Sequence, residues 1–140
     1  MGDKKTNRSE GATPWIPSPA HVLLEGVSRP VTKGQRPYRA LRPVSLPEAA
    51  VFAAVLPGEY LLKGFTNRDL REQLEPRQST DSQERRRASG RATRRLRLLR
   101  AHGLIRKGGG TRYYRVTPKG QQIMTAALRL RDADVAKLVA

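Results

Sequence analysis

A chain of 140 residues with 28 lysines and arginines against 12 acidic residues carries a formal charge of +16, more than solubility requires and the usual footprint of a protein that binds a polyanion, nucleic acid foremost. It has no cysteine, which excludes disulfides, thiolate metal sites and cysteine catalysis and fits a reducing compartment. The N-terminal MGDKKTNRSEGATPW lacks the apolar stretch of a signal peptide, and no apolar run nears the ~20 residues of a membrane span, so a soluble, cytoplasmic protein without a membrane partner is expected.

The length suits one domain of roughly 100 residues and a tail. Six of the ten prolines precede Ser45, and the apolar run found there, Val22-Leu23-Leu24, is too short to nucleate a core. Residues 1–44 are expected to form an extended or disordered basic tail, with the folded domain over 45–140. In the domain, SLPE at 45–48 reads as a capping box, with Ser45 accepting from the backbone of Glu48 and Glu48 reaching back; the helix it opens must stop at Pro57-Gly58. YLLKGF at 60–65 is compatible with a small strand. A second helix begins at Thr66 as N-cap, with Asp69 three residues on and Phe65 placed to clasp Leu70, and it ends by Pro76.

A cap signal at Asp81 with Glu84, or at Thr80 with Gln83, precedes a third helix that runs to His102 and stops at Gly103, a left-handed C-cap. Gly90 disfavours helix, so a start at Ser89 is the alternative. At 100° per residue Ala88, Ala92, Arg95, Leu96 and Leu99 share a core sector, with Arg86, Arg87, Gly90, Thr93, Arg94, Arg97 and Arg100 opposite. Arg95, on the apolar side, is expected to lay its stem over the core or to pair with Glu72 or Glu75. Then LIRK and RYYRV flank GGGT, two short strands joined by a turn tolerant of positive φ, which describes a β-hairpin. TPKG opens a last helix, Thr117 as N-cap and Pro118 at its first position. Its Leu130, Val135 and Leu138 extend past what one small core would cover. Either two chains pair through this segment, forming a homodimer, or the 22–27 stretch folds back over it.

The order of helix, strand, helix, helix, hairpin and helix is mainly α with a small β-hairpin wing. Over residues 45–131 it resembles the winged helix-turn-helix domain of bacterial regulators, the MarR-like group included, most tellingly in LRLLRAHGLIRKGGGTRYYRVTPKGQQI. GFTNRDLREQL and LRLLRAHGLIRK are also similar to the C-terminal part of larger bacterial proteins associated with mobile elements. The resemblance implies that the helix over 88–102 enters the major groove and that the wing over 106–112 reaches the phosphate backbone or minor groove. Carried onto this sequence, the implied DNA-binding residues are Thr66, Asn67 and Arg68 at the start of the second helix. The third helix contributes Arg86, Arg87, Gly90, Arg91, Thr93, Arg94, Arg97 and Arg100, and the wing Arg106, Lys107, Thr111 and Arg112.

Charge distribution agrees with that placement. Between residues 84 and 119 stand thirteen basic side chains and one acidic one, mostly arginine, whose planar fork grips a phosphate or the O6/N7 edge of guanine bidentately. GGGT lacks the strand–GxxxxGK[ST]–helix context of a phosphate loop. His21 and His102 lie far apart, the latter at a helix end where imidazole caps carbonyls, so neither a metal site nor a catalytic pair is expected, and no cofactor or enzyme activity. The expected function is duplex DNA binding, as a transcriptional regulator or a mobile-element targeting domain. An RNA-binding winged helix and a protein-interaction module are the alternatives; the first would expose stacking aromatics, of which Tyr113 is the clear candidate.

Overall fold

Residues 19–139 are described by the computed structural model, with side-chain surroundings over 22–133. Within them the chain is mainly helical, with two antiparallel hairpins. Helix α1 (Pro19–Val27) leads into a hairpin of β1 (Val31–Lys33) and β2 (Arg36–Tyr38), followed by α2 (Leu46–Val55), α3 (Gly58–Lys63), α4 (Asn67–Leu74) and α5 (Ser82–Ala101). A second hairpin, β3 (Ile105–Lys107) with β4 (Tyr114–Val116), precedes the long α6 (Pro118–Val139).

The extended tail expected before Ser45 does not hold for residues 19–44; residues 1–18 lie outside the described part. Leu24, Val27 and Leu41 are buried in the same core as α2, α4 and α5, and the Leu41 N–H donates to the Val27 carbonyl at 2.9 Å. An apolar run too short to nucleate its own core needs none when another helix offers it a face, and α1 packs on α6. Of the apolar surplus expected on α6, Leu130 is half-buried against the core, and the side chains of Val135 and Leu138 lie outside the described residues. The β1–β2 turn is Gly34-Gln35, both at positive φ (56° and 70°), the two-residue type I′ geometry that suits strand twist.

Caps fix most helix ends. Ser45 accepts from Glu48 N–H at 3.5 Å, but the reciprocal half of the expected capping box is not made. Glu48 turns to Arg39 Nη1 (3.1 Å) and the Arg42 N–H (2.9 Å) instead, a charged and a backbone donor together satisfying more of the carboxylate than the Ser45 N–H alone would. Thr66 and Asp69 do form a complete box, at 3.1 and 2.9 Å, with Phe65 and Leu70 both fully buried beside it. The strand expected at 60–65 is instead helix α3, whose Glu59 and Lys63 suit the charge of its first and last turns. Gly64 at φ 89° ends it, leaving Phe65 to pair as a single bridge with Tyr114.

Helix α5 starts at Ser82, capped by Asp81 accepting from Gln83 N–H at 3.2 Å, so Gly90 lies inside it. Its end is a Schellman motif: the Leu104 N–H reaches the Leu99 carbonyl and the Gly103 N–H the Arg100 carbonyl, both at 3.0 Å, with Gly103 at φ 78°. His102 is buried, and its ring does not cap its own helix as expected; Nε2 donates to the Arg39 carbonyl at 2.8 Å, fastening the segment after β2 to the end of α5. Thr117 joins this junction to α6. Its hydroxyl accepts from Gly120 N–H (2.9 Å) and donates to the Gly103 carbonyl (2.7 Å).

Candidate nucleic-acid interface

Helix α5 is built with two faces. Ala88, Ala92, Leu96 and Leu99 are buried, while Arg86, Arg94, Arg97 and Arg100 are exposed. Arg86, Gly90, Arg94 and Arg97 recur every three or four residues and so form one stripe along the helix. A β-carbon at Gly90 would meet no side chain closer than Arg94 Nη1 at 3.6 Å, and its φ is not positive. Neither packing nor backbone geometry therefore requires a glycine at that point of the stripe.

Charge is not evenly compensated along α5. Towards its start, Arg91 pairs with Glu84 (3.1 Å) and Glu75 (3.8 Å), and Arg87 with Glu84 (3.8 Å). Among the described residues Arg86, Arg94, Arg97 and Arg100 have no carboxylate partner within 4.0 Å. Arg95 is half-buried over the cleft between α2, α4 and α5. Its expected partners are taken, Glu72 by Arg68 (3.1 Å) and Glu75 by Arg91, and its charge acts on Glu48. Burial pushes that carboxyl up, but the Arg39 and Arg42 hydrogen bonds and the Arg39 and Arg95 charges outweigh it, so Glu48 titrates below its ordinary 4.5.

Several residues expected to meet DNA are engaged by partners within the chain. The Thr66 hydroxyl is the cap of α4. Asn67 donates to the Ser89 carbonyl (3.2 Å) and Thr93 Oγ1 (3.0 Å) and accepts from Arg71 Nε (2.7 Å), which locks α4 against α5 and uses Thr93 as well. Arg68 is ion-paired along its own helix. Thr111 holds the hairpin turn, donating to the Gly108 carbonyl and accepting from the Tyr113 N–H at 3.3 and 3.2 Å. Of the three turn glycines only Gly110 uses positive φ (70°).

On the β3–β4 hairpin, Arg106, Lys107 and Arg112 are exposed and without a carboxylate partner among the described residues. Arg106 and Lys107 share a cleft of about 530 Å³ with Lys63 and Tyr113. Lys63, from the segment read as a strand, was not expected there. The β1–β2 hairpin likewise lies against α5 and brings Lys33 and Tyr38 to Arg97 and Arg100. A signal existed in KGQR between β-branched and aromatic residues, but Pro37 demotes a strand and Gln35 stands where such a turn favours glycine. Among the described residues no cluster of His, Asp and Glu could hold a metal ion, and no helix is long and apolar enough to cross a membrane.

No protein-family model matches the chain, and neither a curated protein nor a solved structure shows significant similarity to it.

Proposed function

We propose that the chain is a winged-helix module that binds duplex DNA, with α5 as recognition helix and the β3–β4 hairpin as wing, serving a transcriptional regulator or the targeting function of a mobile-element protein. One observation carries this reading: an uncompensated arginine stripe on the exposed face of a helix whose other face is core. A solvated helix face of this length ordinarily interleaves both signs, and here the carboxylates are confined to one end. The supporting features are the α2, α4, α5, hairpin order and the single Phe65–Tyr114 bridge, which ties the segment after α3 to the hairpin. Arg94 and Arg97 are assigned to base edges, and Lys107 and Arg112 to phosphates.

The partner class is tested by competition. Labelled mixed-sequence duplex, bound to the full chain, is challenged with unlabelled duplex, a structured RNA hairpin and single-stranded DNA at equal nucleotide concentration. Duplex DNA is expected to compete best by at least several-fold. Stronger competition by the RNA hairpin would replace the DNA reading with the RNA one.

A further inference from the structure

The geometry points to a second nucleic-acid clamp on the opposite side of the chain's sequence from the wing: the N-terminal β1–β2 hairpin and the last turns of α5 form a cleft for a DNA backbone phosphate. This rests on the duplex-DNA reading of α5. The cleft, about 340 Å³, is lined by Lys33, Tyr38, Arg97, Arg100 and Ala101. Three cations and a phenol meet there with no carboxylate. Like charges gathered around one cleft repel; the negative end of the α5 dipole offsets part of that repulsion for Arg100 and Lys33 alike, and Lys33 is brought there by another element.

Lys33 is held there from both ends of its hairpin. At the base, His102 bonds the Arg39 carbonyl, Arg39 bonds Glu48, and Leu41 is buried. At the tip, the Gly34-Gln35 turn places Lys33 opposite Arg36, and Gln35 accepts a left-handed φ of 70° although it is exposed. A residue with a β-carbon in that region is uncommon, and such strain concentrates where it sets a functional geometry. The Arg36 guanidinium lies 5.9 Å from the Tyr38 ring centroid, so the second strand presents its cation on a fixed support. The Lys33 ammonium and the Arg100 guanidinium, set beside the base-reading Arg97 in a cleft lined by no carboxylate, match a phosphodiester oxygen pair, and their contact carries no sequence information.

The test is a salt titration of duplex binding by the full chain, Lys33→Ala, Arg100→Ala and the charge-keeping Lys33→Arg, with Lys107→Ala as the wing counterpart. Each lost phosphate contact should flatten the slope of log affinity on log salt by about 0.9, which is roughly an eightfold loss at 0.1 M salt relative to 1 M. Lys33→Ala is expected to show that loss equally for every duplex sequence, and Lys33→Arg to restore it. Lys33 is exposed at a hairpin tip, so folding should survive; Arg100→Ala probes the other wall of the cleft independently. If the parent chain binds duplex and both alanine variants bind it with unchanged slope, the clamp is overturned while the DNA reading stands. If the parent chain binds no duplex, the DNA reading itself fails and the clamp with it. Weakening confined to a structured RNA competitor would also overturn the assignment.

Discussion

Gly120→Ala is expected to be among the most damaging single-methyl changes in this chain. A β-carbon at Gly120 would stand 1.9 Å from the Leu104 carbonyl oxygen and 2.7 Å from its carbon. Reaching 3.0 Å, the limit that real β-carbons respect, requires the first turn of α6 and the start of β3 to part by about 1.1 Å. The Thr117 N–H bond to the Leu104 carbonyl (3.0 Å) and the Thr117 hydroxyl bond to Gly103 (2.7 Å) would then stretch beyond hydrogen-bonding distance. Two such bonds contribute about 1 kcal/mol each, and displacing the fully buried Leu104 adds about 1–3 kcal/mol of overpacking. The gain in helix propensity returns less than about 1 kcal/mol. A net loss of about 3 kcal/mol corresponds to roughly 10–18 °C in Tm for a domain of this size. Thermal and urea unfolding followed by far-UV circular dichroism measure it, with Gly109→Ala, where a β-carbon meets nothing within 4 Å, as the control. A fall of less than about 3 °C for Gly120→Ala would refute the close-approach argument.

Gly90→Ala should do the opposite to stability, raising it by about 0.5–1 kcal/mol because the position is helical and sterically open, while weakening duplex binding if the bare backbone there approaches DNA; the two effects are read by Tm and anisotropy on the same sample. Glu48→Gln should cost about 1–2 kcal/mol at pH 7, a range set by the half-exposed Arg39 partner. Because the folded carboxyl titrates below its ordinary 4.5, its contribution is complete above that value and is lost as pH falls through the lowered one. Denaturation midpoints of the parent chain and the variant should therefore converge in acid and separate near neutrality. Arg94→Ala and Arg97→Ala should relax sequence preference and cost about 1–3 kcal/mol each, whereas Lys107→Ala and Arg112→Ala should weaken all duplexes alike; a selection from random duplexes compares them, and the reverse pattern would invert the docking orientation.

What was legible in the sequence were the features governed by local rules. The Thr66–Asp69 box, the Gly103 stop, the hairpin around GGGT and the two faces of α5 all follow from residues within one or two turns of each other. What escaped depended on distant partners. Residues 19–44 look unable to fold because their apolar content is judged alone, and α6, more than seventy residues away, supplies the missing surface. Glu48 abandons its capping box for Arg39 and Arg42, and Asn67 turns from solvent to Thr93, because donors and acceptors remote in sequence lie closer than water would suggest. The same blindness hid Lys33 and Lys63, whose places beside the arginines of α5 and the β3–β4 hairpin are set by tertiary packing. Leu130, expected either to meet a second chain or to be covered by the 22–27 stretch, is half-covered within its own chain, so sedimentation at micromolar concentration is expected to show a monomer.

The most direct measurement is the affinity of the full chain for a mixed-sequence duplex by fluorescence anisotropy between about 50 and 300 mM salt. If α5 and the wing together neutralise about five to eight phosphates, log affinity should fall against log salt with a slope of roughly −4.5 to −7. A slope near zero, or no binding at the lowest salt, would contradict duplex DNA as the partner of the arginine stripe.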